Sequence, residues 1–402
     1  MRTFLRLPLA GLLLLIIYLN YQLYYNPPLA LVRDRPVNQD VVAQLQFLRG
    51  RMHQGAGAQM QELYPEGFVY LNTLYALTWT ELLPQLPPAS ALHTEALTEV
   101  KWALQEIQSP AAQTIFEHDL PLPFGAFYQG WSAYALGRYL HALPPSQRDT
   151  ASLRLFNRQC TGIATALAGS PSPWLESYAG AAWPADGVMC VAALAWHDRL
   201  QPPRYQGVIQ QWLRAVDSRL DANRLIPHEV KAGSGMVLTP ARGSSQSQLL
   251  NFLVEIDSPY ARQHFQRYRA LFLTTRLGLP GVLESARGVA ATEDIDSGPV
   301  IWGVGGAASI VGRRTMQRYG DTTTAVGLRN SIEAFGLPWH SGTGKSYLLG
   351  QLPIADAFIA WSNSLAPHKQ LVAATGWRTA FQVASALIIA CITVLWRLTK
   401  RP

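Results

Sequence analysis

Acidic side chains recur along this chain in positions suited to proton transfer. Asp186 stands in Trp183-Pro184-Ala185-Asp186-Gly187, at the mouth of an apolar stretch, and Asp119 follows His118 in a loop rich in proline. Two carboxyl groups whose surroundings drive their pKa values apart can serve as general acid and general base on a glycosidic or vinyl ether bond. Further acids and aromatics fall in comparable loops: Tyr64 and Glu66, Tyr128, Glu176 and Tyr178, Glu293 and Asp294, and Trp339. Aromatic rings stack on the flat apolar faces of a sugar, and carboxylates accept its hydroxyl protons. Asp186 and Asp119 are the expected catalytic pair. His118, Tyr178, Trp183, Glu176, Tyr64, Glu66, Tyr128, Glu293, Asp294 and Trp339 are the expected binding residues. A plainer role competes for Asp186: Pro184 suits the first helical position, and an acid in that turn faces the positive end of the helix dipole.

Residues so far apart in sequence need a scaffold that gathers them. From Val188 to Ala195 the chain has no charge on any side, which predicts a helix buried all round. The same kind of stretch returns, rich in small and aromatic residues, with starts near residues 67, 125, 183, 244, 298 and 353. Amphipathic stretches alternate with them. A repeat of one buried and one amphipathic helix, six times over, predicts an all-α fold, an (α/α)6 toroid with six inner and six outer helices. An α-solenoid is the competing architecture. In the toroid every inner helix starts at one rim, so the loops that hold the acids converge there. Few alternating β-branched runs occur, which leaves little room for a central sheet.

The ends of the chain read differently from its middle. Residues 7–25 and 379–396 are apolar and of a length that spans a bilayer, with Arg2 and Arg6 before the first and Arg397, Lys400 and Arg401 after the second. These features predict two anchors, cytoplasmic termini at 1–6 and 397–402, and an extracytoplasmic domain over 36–370. The net charge of +7 lies partly on these flanks. No long basic stripe with interleaved aromatics occurs, so nucleic acid is not an expected partner. The expected partner is a small-molecule or oligosaccharide substrate. Of three cysteines, Cys160 and Cys190 are the one pair that could bridge outside the cytoplasm, and no Cys/His cluster predicts a metal site. No cofactor is expected. Gly342-Thr343-Gly344-Lys345-Ser346 looks like the end of a phosphate loop, but the position of its first glycine is Trp339 and no hydrophobic strand precedes it. Gly303, Gly305 and Gly306 fall inside the expected fifth inner helix, where they serve close packing.

The run Trp183-Pro184-Ala185-Asp186-Gly187-Val188-Met189 resembles the Trp-x-x-Asp-Gly-x-x-Met stretch of unsaturated glucuronyl and rhamnogalacturonyl hydrolases. That resemblance covers about a dozen residues and implies an (α/α)6 toroid. It also implies that Asp186 is the general acid/base that hydrates the double bond of an unsaturated uronic acid. A second aspartate from a His-Asp loop one repeat earlier corresponds to His118-Asp119. Together these readings predict a membrane-anchored, glycoside hydrolase-like enzyme. Two alternatives stand beside it: a hydratase or isomerase of a lipophilic alcohol, similar to linalool dehydratase/isomerase, and a toroid that only binds glycan or helps assemble an envelope polymer.

Overall fold

A computed structural model describes residues 2–32, 35–289, 297–366 and 376–398, and the protein is mostly helical. The chain opens with α1 (Arg2–Gln22), the strands β1 (Leu29–Val32) and β2 (Arg35–Asn38), and helices α2 (Gln39–His53), α3 (Ala56–Leu63) and α4 (Gly67–Leu82). Helices α5 (Ala91–Ile107), α6 (Pro110–Gln113), α7 (Gly125–Ala142) and α8 (Thr150–Gly169) follow, then β3 (Ala181–Ala182), α9 (Pro184–Leu200) and α10 (Gln206–Asp217). Strands β4 (Glu229–Lys231) and β5 (Val237–Thr239) lead into α11 (Gly243–Ile256) and α12 (Ser258–Phe272). Two hairpins, β6 (Leu273–Arg276) with β7 (Leu279–Val282) and β8 (Val300–Ile301) with β9 (Val304–Gly305), precede α13 (Gly306–Arg318) and α14 (Thr322–Phe335). A last hairpin, β10 (Trp339–Ser341) with β11 (Gly344–Ser346), leads to α15 (Pro353–Asn363) and α16 (Thr379–Leu398).

Six of these helices close on themselves. α4, α7, α9, α11, α13 and α15 each pack on the next, and α15 packs back on α4. The cause is visible in composition: α4, α7 and α9 are buried on nearly every side, so each needs neighbours all round. Helices α5, α8, α10, α12 and α14 cover the ring from outside, and α2 covers the α15–α4 seam. These outer helices are one-sided. On α10 the buried residues are Ile209, Trp212, Leu213 and Val216, the spacing of a single helical face.

The two layers also begin differently. Most outer helices carry a side-chain cap, from Asn38, Ser90, Asp149, Asp257 and Asp321. None of the six inner helices does. Their first N–H groups are taken instead by carbonyls of adjoining loops: Ala126 by Glu176, Gly243 by Glu284 and Gly306 by Pro299.

At the other end, side chains from the last two turns of the inner helices meet in one largely buried ion network. Arg138 of α7 bridges Glu81 of α4, at 3.0 Å, and Glu255 of α11, at 2.7 Å. Arg314 and Arg318 of α13 join the same two acids, and Tyr134 and the Trp196 indole donate to Glu255 at 2.8 Å. Burial would raise the Glu255 carboxyl, but Arg318 and Arg138 overcome that and hold it at about 2.

Several expectations change. The fifth inner helix starts at Gly306 rather than near 298, because residues 300–305 form a tight hairpin. Gly303 stands in its turn at φ +79°, and Gly305 precedes the helix, so neither is a helix-packing glycine. The strands among the described residues form only two- and three-stranded antiparallel ladders in the loops, in keeping with the expected lack of a central sheet. Cys160 and Cys190 are both buried and free, so the anticipated pair is unbridged. Lys345, in the sequence that imitates a phosphate loop, is fully buried and donates to Asp40 at 2.7 Å and to both oxygens of Glu333 at 2.9 and 3.0 Å. Its ammonium ties the N-terminal segment to the last hairpin.

Among the described residues one helix, Thr379–Leu398, is long and apolar enough to cross a membrane; the apolar part of α1, Arg6–Gln22, is shorter. The first expected span does not reach Tyr25, because Leu23 is buried against Leu279 and Ala334 of the helical domain. α1 and α16 lie together, joined by Asn20 Nδ2 donating to Ser385 Oγ at 2.9 Å. Arg378 and Asn330 both donate to the Leu23 carbonyl, at 2.6 Å each.

Removing one member of the ion network strands several buried guanidinium groups. Glu255→Ala is expected to cost about 3–5 kcal/mol of stability, read as a lower urea midpoint. A second prediction concerns Asp356, fully buried in the first turn of α15, whose carboxyl burial pushes up to about 7 although the Tyr347 N–H and Arg51 oppose it. The folded state then keeps a proton that the unfolded chain releases, so this group's stabilisation is whole below about pH 4 and is lost as pH rises through 7. Asp356→Asn is expected to remove that slope, worth up to about 4 kcal/mol, from the pH dependence of the thermal midpoint relative to wild type.

Candidate active site

The inner-helix N-termini form one rim, and the loop Glu176–Gly180 before α9 is its meeting point. Three carboxylates reach this segment from outside it, Glu66, Glu117 and Asp186, and its own Glu176 adds a fourth. Ser177 Oγ donates to Asp186 Oδ2 at 2.6 Å, and the Tyr178 hydroxyl donates to Glu66 Oε1 in a short bond. The Ala179 N–H donates to Glu117 Oε2 at 2.8 Å, and the Gly180 N–H to Glu176 Oε1 at 3.1 Å. Asp186 and Glu66 are thus each one hydrogen bond from consecutive residues, whose Cα atoms are about 3.8 Å apart.

Each part of this arrangement has a local cause. Pro184 starts α9 and places Asp186 in its first turn, where the side chain is buried. Glu66 is the residue before α4 and is partly exposed. Gly125 allows the close approach between α7 and the loop: it has φ +76°, and a Cβ there would lie 2.2 Å from the Ser177 carbonyl oxygen. Tyr178 stacks on Phe116 with ring centres 5.9 Å apart and stands perpendicular to Trp183 at the same separation. An aromatic wall therefore borders the acids.

Below the rim the ring is filled. Tyr70 of α4 donates across it to Gln248 of α11 at 2.5 Å, and Phe127, Trp131 and Phe358 pack on the Tyr70 ring. A ligand at the rim would meet an aromatic floor within the first turns of the inner helices.

The other expected site residues are distributed unevenly. Asp119 is fully exposed, with its carboxylate 3.5 Å from His118 Nδ1, so it shares none of the enclosure around Asp186. His118 is also exposed and stands edge-on to Phe124 at 5.2 Å. Tyr128 faces away from any ligand: it is buried, donates to the Ile107 carbonyl at 2.9 Å and accepts from Gln113. Its size suits the seam between α7 and α5. Tyr64 is partly buried, and its carbonyl accepts the N–H of Gly67 at the start of α4. Trp339 is exposed in β10 and lines a separate cleft of about 370 Å³ with Gln46, Phe47 and Leu349. Glu293 and Asp294 lie outside the described residues.

Two acids that are not among the expected site residues belong to the rim. Glu117 was passed over in favour of its neighbours His118 and Asp119, although it is the member of that loop that reaches the Glu176–Gly180 segment. Glu284 is buried beside the start of α11, accepts from Ser244 at 2.6 Å and pairs with Arg242 at 3.2 Å. Burial pushes its carboxyl up, against the pull of Ser244 and Arg242. His228 is half-buried, and desolvation together with Arg242 lowers its imidazole to about 3, which keeps it neutral. Among the described residues no group of three or more His, Cys, Asp or Glu side chains is placed to hold a metal ion.

The dependence of this loop on Gly125 can be measured. Gly125→Ala must adopt a left-handed backbone and push Ser177 away, so a loss of about 1–3 kcal/mol is expected from the strain. Calorimetry would read it as a lowered thermal midpoint, with a greater rate of proteolytic cleavage within residues 176–180.

In comparisons with known proteins, no family model and no curated protein matches this chain.

Proposed function

We propose that this chain is an (α/α)6 toroid anchored in a membrane by α1 and α16, with its helical domain outside the cytoplasm and an acid/base site for a hydroxylated, sugar-like group at its rim. The closed cycle of six buried helices under an outer layer supports the architecture. The pairing of α16 with α1 supports the anchor. The reading rests on one observation above all: four carboxylates converge on Glu176–Gly180 beside the rings of Tyr178 and Trp183.

Carboxylates accept hydrogen bonds from sugar hydroxyls, and the rings offer a stacking face. Hydrolysis of a glycosidic bond then needs a carboxyl that gives a proton to the leaving oxygen and a carboxylate that takes one from water. Asp186 is the acid/base in this reading. Glu66, half-buried and holding the Tyr178 hydroxyl, is its partner, a role for which Asp119 is too exposed. A mouth with this density of acids repels anions, so a neutral glycan fits better than the uronate that the local Trp-x-x-Asp-Gly resemblance implies. The aromatic floor around Tyr70 gives substance to a second reading, a hydratase or isomerase of a lipophilic alcohol, which would use the same acids.

Both readings place the proton transfer on the same side chains. Asp186→Asn and Glu66→Gln are each expected to lower turnover by about 10²–10⁴-fold with the circular dichroism spectrum unchanged. Reducing-sugar release from neutral and uronate glycans, run beside hydration of a terpene alcohol, would identify the substrate class. Undiminished turnover by a folded Asp186→Asn protein would remove Asp186 from the chemistry.

A further inference from the structure

The rim carries a set of turns whose residues contradict the usual turn chemistry. Leu277-Gly278 closes β6–β7 and Trp302-Gly303 closes β8–β9, both as two-residue turns with positive φ at each position: 51° and 82° in the first, 51° and 79° in the second. Such turns favour Asn-Gly or Asp-Gly, because a left-handed backbone is costly for a branched or bulky side chain. Leu337 and Leu349, in the loop before α15, are also left-handed, at φ 49° and 57°. These residues are not held there by burial. Leu277 is 46% exposed, Trp302 69%, Leu337 44% and Leu349 64%, and Ile301 beside Trp302 is 65% exposed. In water the strain and the exposure are both unfavourable, so the side chains themselves have a use outside the domain.

Their position identifies what they meet. All of them lie in the two linkers that lead from outer to inner helices before α13 and α15, so they share the rim with the acid-bearing loops. The same edge receives the roots of α1 and α16. A Cβ on Gly278 would lie 2.3 Å from the Trp377 carbonyl, Phe335 at the end of α14 stands edge-on to Phe381 of α16 at 6.3 Å, and Leu23 packs on Leu279 and Ala334. From there α16 runs outward and α1 returns beside it, with Leu387, Ile388 and Val394 exposed.

We infer that this edge of the rim rests on a phospholipid bilayer, with the apolar turn tips around Trp302 and Leu349 entering the interfacial layer, so that the mouth opens at headgroup level. The inference rests on the anchoring proposed above. Strained apolar tips beside the helix roots supply what a bilayer surface takes up: aromatic and aliphatic groups at the depth of the headgroups. The opposite rim, closed by the Glu81–Arg138–Glu255 network, then faces the aqueous compartment.

Spin-label accessibility on the full chain tests this without any substrate. In a Cys391→Ser background, where Cys160 and Cys190 are buried, nitroxides are attached at Trp302→Cys and Leu349→Cys, at Leu387→Cys in α16 and at Ser146→Cys on the opposite rim. Ile301→Cys replaces either rim variant that fails to fold. In phosphatidylcholine/phosphatidylglycerol nanodiscs, the two rim labels are expected to follow Leu387, relaxed by oxygen and shielded from a nickel chelate, while Ser146 is open to the chelate. Rim labels as open to nickel as Ser146, with Leu387 shielded, would overturn the bilayer contact and leave the anchor standing. If Leu387 itself is open to nickel, the anchor fails and this inference fails with it.

Discussion

Six inner helices without caps of their own set the terms for the rest of this structure. A helix start leaves several N–H groups without intrahelical partners, and a buried orphan donor costs about 1–3 kcal/mol. The outer helices answer with Asn, Ser or Asp side chains. The inner ones use neighbouring loops, as when the Glu176 carbonyl receives the Ala126 N–H and the Glu284 carbonyl that of Gly243. Loops from different repeats are thereby held at fixed positions on one rim. The same bonds that complete the helices hold the acid-bearing segments together.

The other end is built to be closed. Glu81, Arg138, Glu255, Arg314 and Arg318 come from four helices far apart in sequence, and each is satisfied only if those helices stand side by side in register. Such a network adds little net stability over apolar packing, but any slip of one helix leaves a charge buried alone. Above it Tyr70, Trp131 and their neighbours fill the interior.

Much of the helical plan was legible because it depends on local composition. Charge-free stretches such as Val188–Ala195 are helices buried all round, and five of the six inner starts fall within one residue of the expected positions. The fifth start was displaced because Trp302-Gly303 makes a two-residue turn without the Asn-Gly that usually announces one. Within the site, Asp186 was legible from Pro184 and the apolar run behind it. Glu117 was not, since adjacent residues of one loop face different ways and only tertiary contacts decide which of Glu117, His118 and Asp119 turns inward. Tyr128 illustrates the converse: a tyrosine near a helix start looks like a ligand platform, yet it fills an interhelical seam.

Charge and helix polarity agree at both ends of the ring. The parallel inner helices direct the positive ends of their dipoles at the rim, where Glu66, Glu117, Glu176 and Asp186 gather, and their negative ends at the closed face, where Arg138, Arg314 and Arg318 lie. At the closed end the guanidinium groups need Glu81 and Glu255 beside them, since little solvent reaches them. At the rim the balance is different: helix ends and hydroxyl or amide donors offset the repulsion among the acids without a lysine or arginine in contact with Glu66, Glu117 or Glu176 among the described residues. A carboxylate stabilised by hydrogen bonds and dipoles, rather than by an ion pair, can exchange its Ser or Tyr hydroxyl for the hydroxyl of a ligand. That substitution keeps the carboxylate satisfied, and the displaced hydroxyl must then find its acceptor on the ligand.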